Sequence, residues 1–410
     1  MRKDEIVMSE GERAGALPSR AIPRRTVLRA LAGAAGAAVA APMLNLGRCR
    51  LWAFGGQEYS ARCIALLQEA TVVDMLSPLT ISGRWQQWAR DPESFTDSDA
   101  QRYRSSGIHV FHHAFGLGGA NAYEAAVNYF GMTNALVAGA EQYFMRIDSA
   151  ADFRRVKSAG KIGLLAGLQN AQHFRTPRDV EFFFGLGQRV SQLTYNSRNL
   201  IGNGSTERRD DGISDFGVSI VEEMNRVGMA IDVSHCGDRT TLDAFEISKQ
   251  PVLITHSNVR ALVDGHPRCK SDDAIRAAGR AGSVMGITGV RNFVTAREPT
   301  TVDSVIDHFD YVRRLIGVEH VGVGSDMDLD GYDDLEPAAL QQLKANYKDS
   351  YRFRDRIDIE GLDHPKRMFD LTEGLIRRKY TDQEINGILG GNFIRALTEI
   401  WPKRSSSQEA

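Results

Sequence analysis

Two stretches decide how this chain folds: Met229-Ala230-Ile231-Asp232-Val233-Ser234-His235 and Val252-Leu253-Ile254-Thr255-His256-Ser257-Asn258. Each is a short, unbroken apolar run that ends near a histidine. A strand covered by helices on both faces reads this way, because neither face meets water. Just ahead of the first run, Phe216, Ile220, Val221, Met224 and Val227 recur on one helical face, and Gly228 supplies the expected stop. Helix and parallel strand therefore alternate.

Working outward, the same rhythm continues in both directions. Further apolar runs stand at Thr71–Leu76, Ile108–Phe115, Ile162–Leu168, Val190–Tyr195, Ser283–Thr288 and His320–Gly324. With the two quoted runs, which span Met229–Ser234 and Val252–Thr255, that makes eight. Helix-like patterns fill the gaps, among them Ala120–Ala140, Val302–Ile316 and a capping-box start at Thr381 with Glu384. Eight βα units in one chain predict an α/β fold, a (β/α)8 TIM barrel. A doubly wound open sheet would carry a glycine-rich phosphate turn after its first strand, and none is present.

The barrel is expected over residues 66–402, with a connecting segment at 43–65 and a disordered polar tail at 403–410. Residues 1–42 read as an export signal. Arg24-Arg25 precede a mildly apolar Ala/Gly-rich core, and Ala38-Val39-Ala40 offers small residues for cleavage. That order resembles a twin-arginine signal. It predicts an exported, periplasmic or otherwise extracytoplasmic protein, membrane-tethered if the signal stays on, with the export machinery as a partner. A formal net charge of −2 argues against nucleic acid. Cys49, Cys63, Cys236 and Cys269 have neither metal-site nor redox spacing and read as unpaired small residues. A homodimer is left open.

In such a barrel, reacting groups sit at the carboxyl ends of the strands. The fifth run ends at His235, the sixth at His256, and the eighth leads into Asp326. Two imidazoles and a carboxylate on one rim form a recognisable centre for zinc or a similar ion. Asp232 has the opposite strand parity to His235 and reads as structural. Asp328 and Asp330 are weaker loop candidates, and His266 reads as a loop residue. Arg268, in the loop after strand six, could clamp a carboxylate. His112 and His113 end strand two, and parity sends one of them inward.

These motifs, together with Gly212-Ile213-Ser214-Asp215-Phe216-Gly217, His266-Pro267-Arg268, Val321–Asp326 and Gly390-Gly391-Asn392-Phe393, resemble the membrane (renal) dipeptidase family of zinc metallopeptidases from about residue 65 to residue 401. The resemblance implies a metal-dependent hydrolase of dipeptides with two metals. It assigns His235 and His256 as metal ligands, Arg268 to the substrate carboxylate, and Asp326 to proton handling.

The chain departs from the family pattern at three places. The strand-one motif that should read Asp-Gly-His-Asn-Asp is Asp74-Met75-Leu76-Ser77-Pro78, so both of its ligands are gone. Gln169 stands where a bridging Glu is expected, and Tyr195 where a substrate-contacting His is expected. Two dications without those carboxylates would repel strongly in a low-dielectric site. The expectation is one zinc ion at most, on His235 and His256, with Asp326 or the weaker donor Gln169 completing the site. The first reading is a hydrolase of dipeptides or related small amides. Two alternatives are a metal-free binding or maturation protein, and a non-peptidase acid–base enzyme using His235, Asp326 and Tyr195.

Overall fold

The computed structural model describes residues 51–52, 58–81 and 83–401. The predicted export signal and the tail from 403 lie outside the described residues. Eight parallel strands run in sequence order around a barrel: β1 Val73–Asp74, β2 Val110–Phe115, β3 Ile162–Leu168, β4 Val190–Gln192, β5 Ala230–Asp232, β6 Val252–Ser257, β7 Met285–Ile287 and β8 Val321–Val323. Seven fall inside their apolar runs, and β6 continues two residues past its run, to Ser257. A short extra strand, Phe144–Arg146, pairs with β3 off this path.

Closure is made between the first strand and the last. Met75 N donates to Val323 O at 2.8 Å, and Asp326 N donates to Leu76 O at 2.9 Å. The fully buried Asp74 carboxylate reinforces the seam by accepting from Ser325 N at 2.8 Å and Ser325 Oγ at 2.6 Å, with Arg367 Nη2 at 3.2 Å. Asp74, the first residue of the stretch Asp74–Pro78, thus helps to close the barrel.

Packing explains why one end is free for chemistry. Inward residues Val110, Leu165, Val190, Ala230 and Leu253 form an inner core with Phe393, Leu397 and Ile400 of the helix Asn392–Ile400. That helix seals the amino-terminal end of the barrel. The outer core lies between strands and helices, as the continuous apolar runs require. The helix Asp215–Val227 shows the local logic: Ser214 Oγ accepts from Gly217 N at its start, and Gly228 ends it with φ +80°. The helix Ala61–Glu69 begins inside the segment read as a connector, and its Cys63, Leu66 and Leu67 are already in the core. Cys63, Cys236 and Cys269 are buried and free, as expected.

Candidate active site

At the carboxyl ends of the strands lies a cavity of about 280 Å³, lined among others by Gln169, Tyr195, His235, Asp326 and Asp328. A cover segment after β8, containing the helix Pro337–Ala345, contributes Tyr332, Leu335, Leu343, Tyr347, Tyr351 and Phe353 to its walls.

The two histidines meet. His235 Nε2 and His256 Nε2 are 2.9 Å apart, and both side chains are almost fully buried. The far side of each ring is held. His235 Nδ1 faces Asn196 Oδ1 at 2.8 Å. His256 Nδ1 faces Thr255 Oγ1 at 2.8 Å, and that hydroxyl donates to Asp232 Oδ2 at 2.8 Å. With its only proton given to Asp232, Thr255 Oγ1 can only accept, so His256 carries its proton on Nδ1. Asn196 Oδ1 imposes the same tautomer on His235. The two Nε2 atoms thus face each other at hydrogen-bond distance without a proton on either, and a cation bound beside them would satisfy both. Burial, with Arg268 next in importance, pushes both imidazoles well below the ordinary histidine range, which disfavours a proton in that role.

Asp232 is structural, as its parity suggested: it accepts from Ser234 N and Oγ and from Thr255 N and Oγ1. Asp326 sits in the cavity wall with φ +60°, a conformation that costs energy and is concentrated at functional sites. Burial, the largest effect, raises its carboxyl to about 7 against the lowering pull of Arg268. Gln169 Nε2 donates to Ala114 O at 3.0 Å, which leaves its carbonyl oxygen for the cavity. Tyr195 stacks on His235, with ring centroids 4.2 Å apart, and its hydroxyl pairs with Tyr347 at 2.7 Å.

Three expectations receive a definite placement. His112 is the inward member of its pair: it shares the parity of Val110, its Nδ1 faces Met75 O at 2.6 Å, and its Nε2 has no partner. His113 turns outward, where Nδ1 accepts from Leu79 N and the ring packs 4.1 Å from Trp85. Arg268 is buried, not a surface loop residue. Its Nη1 donates to Ser234 O at 2.6 Å and its Nη2 to His256 O at 2.9 Å. His266 is a loop anchor between Arg268 N and Tyr351 O.

The donors that meet here are two imidazole nitrogens, a type that suits zinc or a similar ion. Asp326 and Gln169 line the same cavity. Among the described residues, however, no three His, Cys, Asp or Glu side chains stand within reach of a common ion. Sequence reasoning missed Asn196, Thr255 and the tyrosines of the cover. Asn196 gave one local signal, its place beside Tyr195 at a strand end. Tyr347 and Tyr351 stand one helical turn apart, but no sequence pattern ties them to the barrel mouth.

Fold and site together define a (β/α)8-barrel protein of the metal-dependent hydrolase type. The chain belongs to the membrane dipeptidase family, peptidase family M19, whose profile matches residues 60–344. It is 31% identical over 245 residues to dipeptidase verJ of Clonostachys rogersoniana, a match covering 59% of this chain and 56% of that protein. Dipeptidase 3 of Rattus norvegicus is 29% identical over 62% of this chain and 48% of its own length. The chain thus spans about half the length of these relatives. Among solved structures, an amidohydrolase from Pseudomonas aeruginosa superposes with a TM-score of 0.71 at 28% identity, over 83% of this chain and 99% of the other. The probable dipeptidase PvdM of the same organism shares the fold, with a TM-score of 0.66 at 18% identity over 82% of this chain and 97% of that one.

Proposed function

We propose that this protein hydrolyses dipeptides or related small amides with one divalent ion, zinc by donor type, held by His235 and His256. One observation carries the reading: the two Nε2 atoms stand 2.9 Å apart, and both Nδ1 atoms face oxygen acceptors. Metal-binding histidines are oriented in this way by their outer partners. A bound ion would polarise a carbonyl and acidify a water. Asp326, with its carboxyl raised to about 7, is suited to hold a proton at neutral pH and pass it to a leaving amine. Tyr195, locked by its stack on His235, offers a hydroxyl at the same wall.

A second reading, a metal-free binding or maturation protein, is favoured by the lack of a third charged ligand among the described residues. Zinc analysis of the folded chain separates the two. The hydrolase reading expects close to one zinc per chain, lost in the His235→Ala/His256→Ala variant together with amidase activity. A zinc-loaded sample that retains no metal would leave the second reading standing. From the order of features in residues 23–42 we also infer export through the twin-arginine route. Among the described residues no helix is long and apolar enough to cross a membrane.

A further inference from the structure

The two sides of the cavity differ, and the difference narrows which dipeptide fits, an inference that rests on the reading just given. In that reading the ion on His235 and His256 takes the scissile carbonyl. The substrate's main chain then lies on the strand-end side, with Gln169, Asp326 and Asp328. The cover forms the other side.

Two links fix how far the cover stands from the ion centre. The Tyr195 ring stacks on His235 with centroids 4.2 Å apart, and its hydroxyl meets the Tyr347 hydroxyl at 2.7 Å. Asn196, whose Oδ1 faces His235 Nδ1, also bonds the Tyr351 hydroxyl. Tyr347 and Tyr351 are thus each one side chain removed from His235. Beyond them the rings run on. Centroids are 4.5 Å apart for Tyr347 and Tyr351, 5.3 Å for Tyr347 and Phe353, and 5.2 Å for Tyr351 and Phe293, which follows β7. These rings belong to a small apolar cluster separate from the two barrel cores, with Leu343 of the helix Pro337–Ala345 packed against it. Satellite clusters of this kind form under long loops. This one is incompletely packed: Leu343, Tyr347 and Phe353 are only partly buried, and all three line the cavity.

The polar atoms of that side are already partnered. The hydroxyls of Tyr347 and Tyr351 have the bonds just given, and the Tyr332 hydroxyl donates to Asp326 O at 2.6 Å. No lysine or arginine lines the cavity, and its carboxylic acids are Asp326 and Asp328. An acidic or amide side chain placed against the cover would leave water and gain no partner, because the ion is engaged by the scissile carbonyl. An aromatic side chain would instead bury its ring against rings already in tilted or edge-on contact, an arrangement that aromatic pairs prefer.

We propose that the cover is a side-chain subsite, and that the preferred substrate is a dipeptide carrying an aromatic side chain, seated against Leu343, Tyr347, Phe353 and Phe293 while its amide is held at the ion. The subsite selects by shape and by the lack of free polar partners.

Calorimetry on the full chain, equilibrated with zinc, tests this without turnover. The probes are dipeptide isosteres in which a ketomethylene group replaces the amide, so that nothing is hydrolysed. They copy phenylalanylalanine, alanylphenylalanine, alanylalanine, glutamylalanine and alanylglutamate. The better phenylalanine isostere should bind about tenfold or more tightly than the alanylalanine isostere, and neither glutamate isostere should exceed the latter. Leu343→Asp should cut that contrast about threefold or more, and Phe353→Ala, on the same half-buried wall, should do so if the first variant fails to melt cooperatively. An alanylalanine isostere as tight as both phenylalanine isosteres overturns the inference. So does a tighter glutamate isostere, a contrast untouched by the variants, or no binding of any probe. Failure to retain zinc or to hydrolyse the parent dipeptides, with the binding contrast intact, sinks only the hydrolase reading. Turnover of dipeptides with no aromatic preference sinks only this one.

Discussion

Replacing Arg367 by Met should unfasten the barrel seam, and the cost can be worked out from the site. Asp74 is fully buried and Arg367 is 2% exposed. The guanidinium bonds the Asp74 carboxylate, Ser77 Oγ and the main-chain oxygen of Asp328. Burial already raises the Asp74 carboxyl, and Arg367 is the largest influence holding it down. Without Arg367 the carboxylate must either stay charged and unpaired or take up a proton. Removing one partner of a buried pair costs about 3–5 kcal/mol. The protonation route sets a ceiling: binding a proton at pH 7 that the unfolded aspartate, near 3.9, would release costs about 4 kcal/mol. At pH 5 the same route costs only about 1.5 kcal/mol. The carboxyl of the folded variant is raised above its unfolded value, so its contribution improves as pH falls and is lost as pH rises. Urea unfolding of wild type and Arg367→Met at pH 5 and pH 7, followed by tryptophan fluorescence and circular dichroism, gives both numbers. Adding Asp74→Asn should restore part of the loss at pH 7, because a neutral amide needs no partner charge. A loss below about 1 kcal/mol at pH 7, or one equal at both pH values, would refute this account of the seam.

Gln169→Glu should raise zinc affinity about tenfold or more in a competing-chelator titration, by placing a carboxylate where a neutral amide now faces the cavity; unchanged affinity would separate Gln169 from the ion site. Gly167→Ala should destabilise by about 1–3 kcal/mol in thermal unfolding, because the added Cβ would lie 2.4 Å from His112 Nε2 and 2.9 Å from Val190 O; a silent substitution would mean that His112 has room to move. Lys270, buried and lowered to about 8 chiefly by desolvation, donates to Val233 O, Cys236 O and Thr241 Oγ1. Its depressed folded value means that wild type should gain stability relative to Lys270→Met as pH rises from about 8 to 10, by up to about 3 kcal/mol; a flat difference across that range would mean that the folded Lys270 keeps its ordinary value, against the desolvation account.

The barrel was legible because its signal is local. Each strand is an apolar run such as Ile162–Leu168, and each maps to a strand at the same place. His235 and Asp326 were legible for the same reason, since the carboxyl end of a barrel strand is a fixed address; Tyr195 and Gln169 were reached only through the family resemblance. Features that depend on distant partners were not. Only the structure shows that Val110 faces inward and takes His112 with it, leaving His113 against Trp85. Arg268 read as a carboxylate clamp, because its acceptors Ser234 O and His256 O belong to two strand ends distant from it in sequence. The aromatic cover was invisible for a further reason. Tyr332, Tyr347 and Phe353 lie in a segment with no periodic apolar pattern, and they become a wall only when that segment folds over the barrel mouth.

The outer partners Asn196, Thr255 and Asp232 orient both imidazoles, while Leu76, Pro78 and Gln169 offer the centre no negative charge. A pair of lone pairs 2.9 Å apart is unfavourable if nothing positive lies beside them. A proton is opposed there by burial and by Arg268. The same positive neighbour weakens a divalent ion, but an ion gains two nitrogen ligands at once, whereas a proton gains one strong bond and one acceptor. Asp232 lies behind His256 and acts through Thr255 without occupying a ligand position. In the one-ion reading proposed above, the ion's position would be set by the ends of β5 and β6 and by the outer shell that orients their imidazoles.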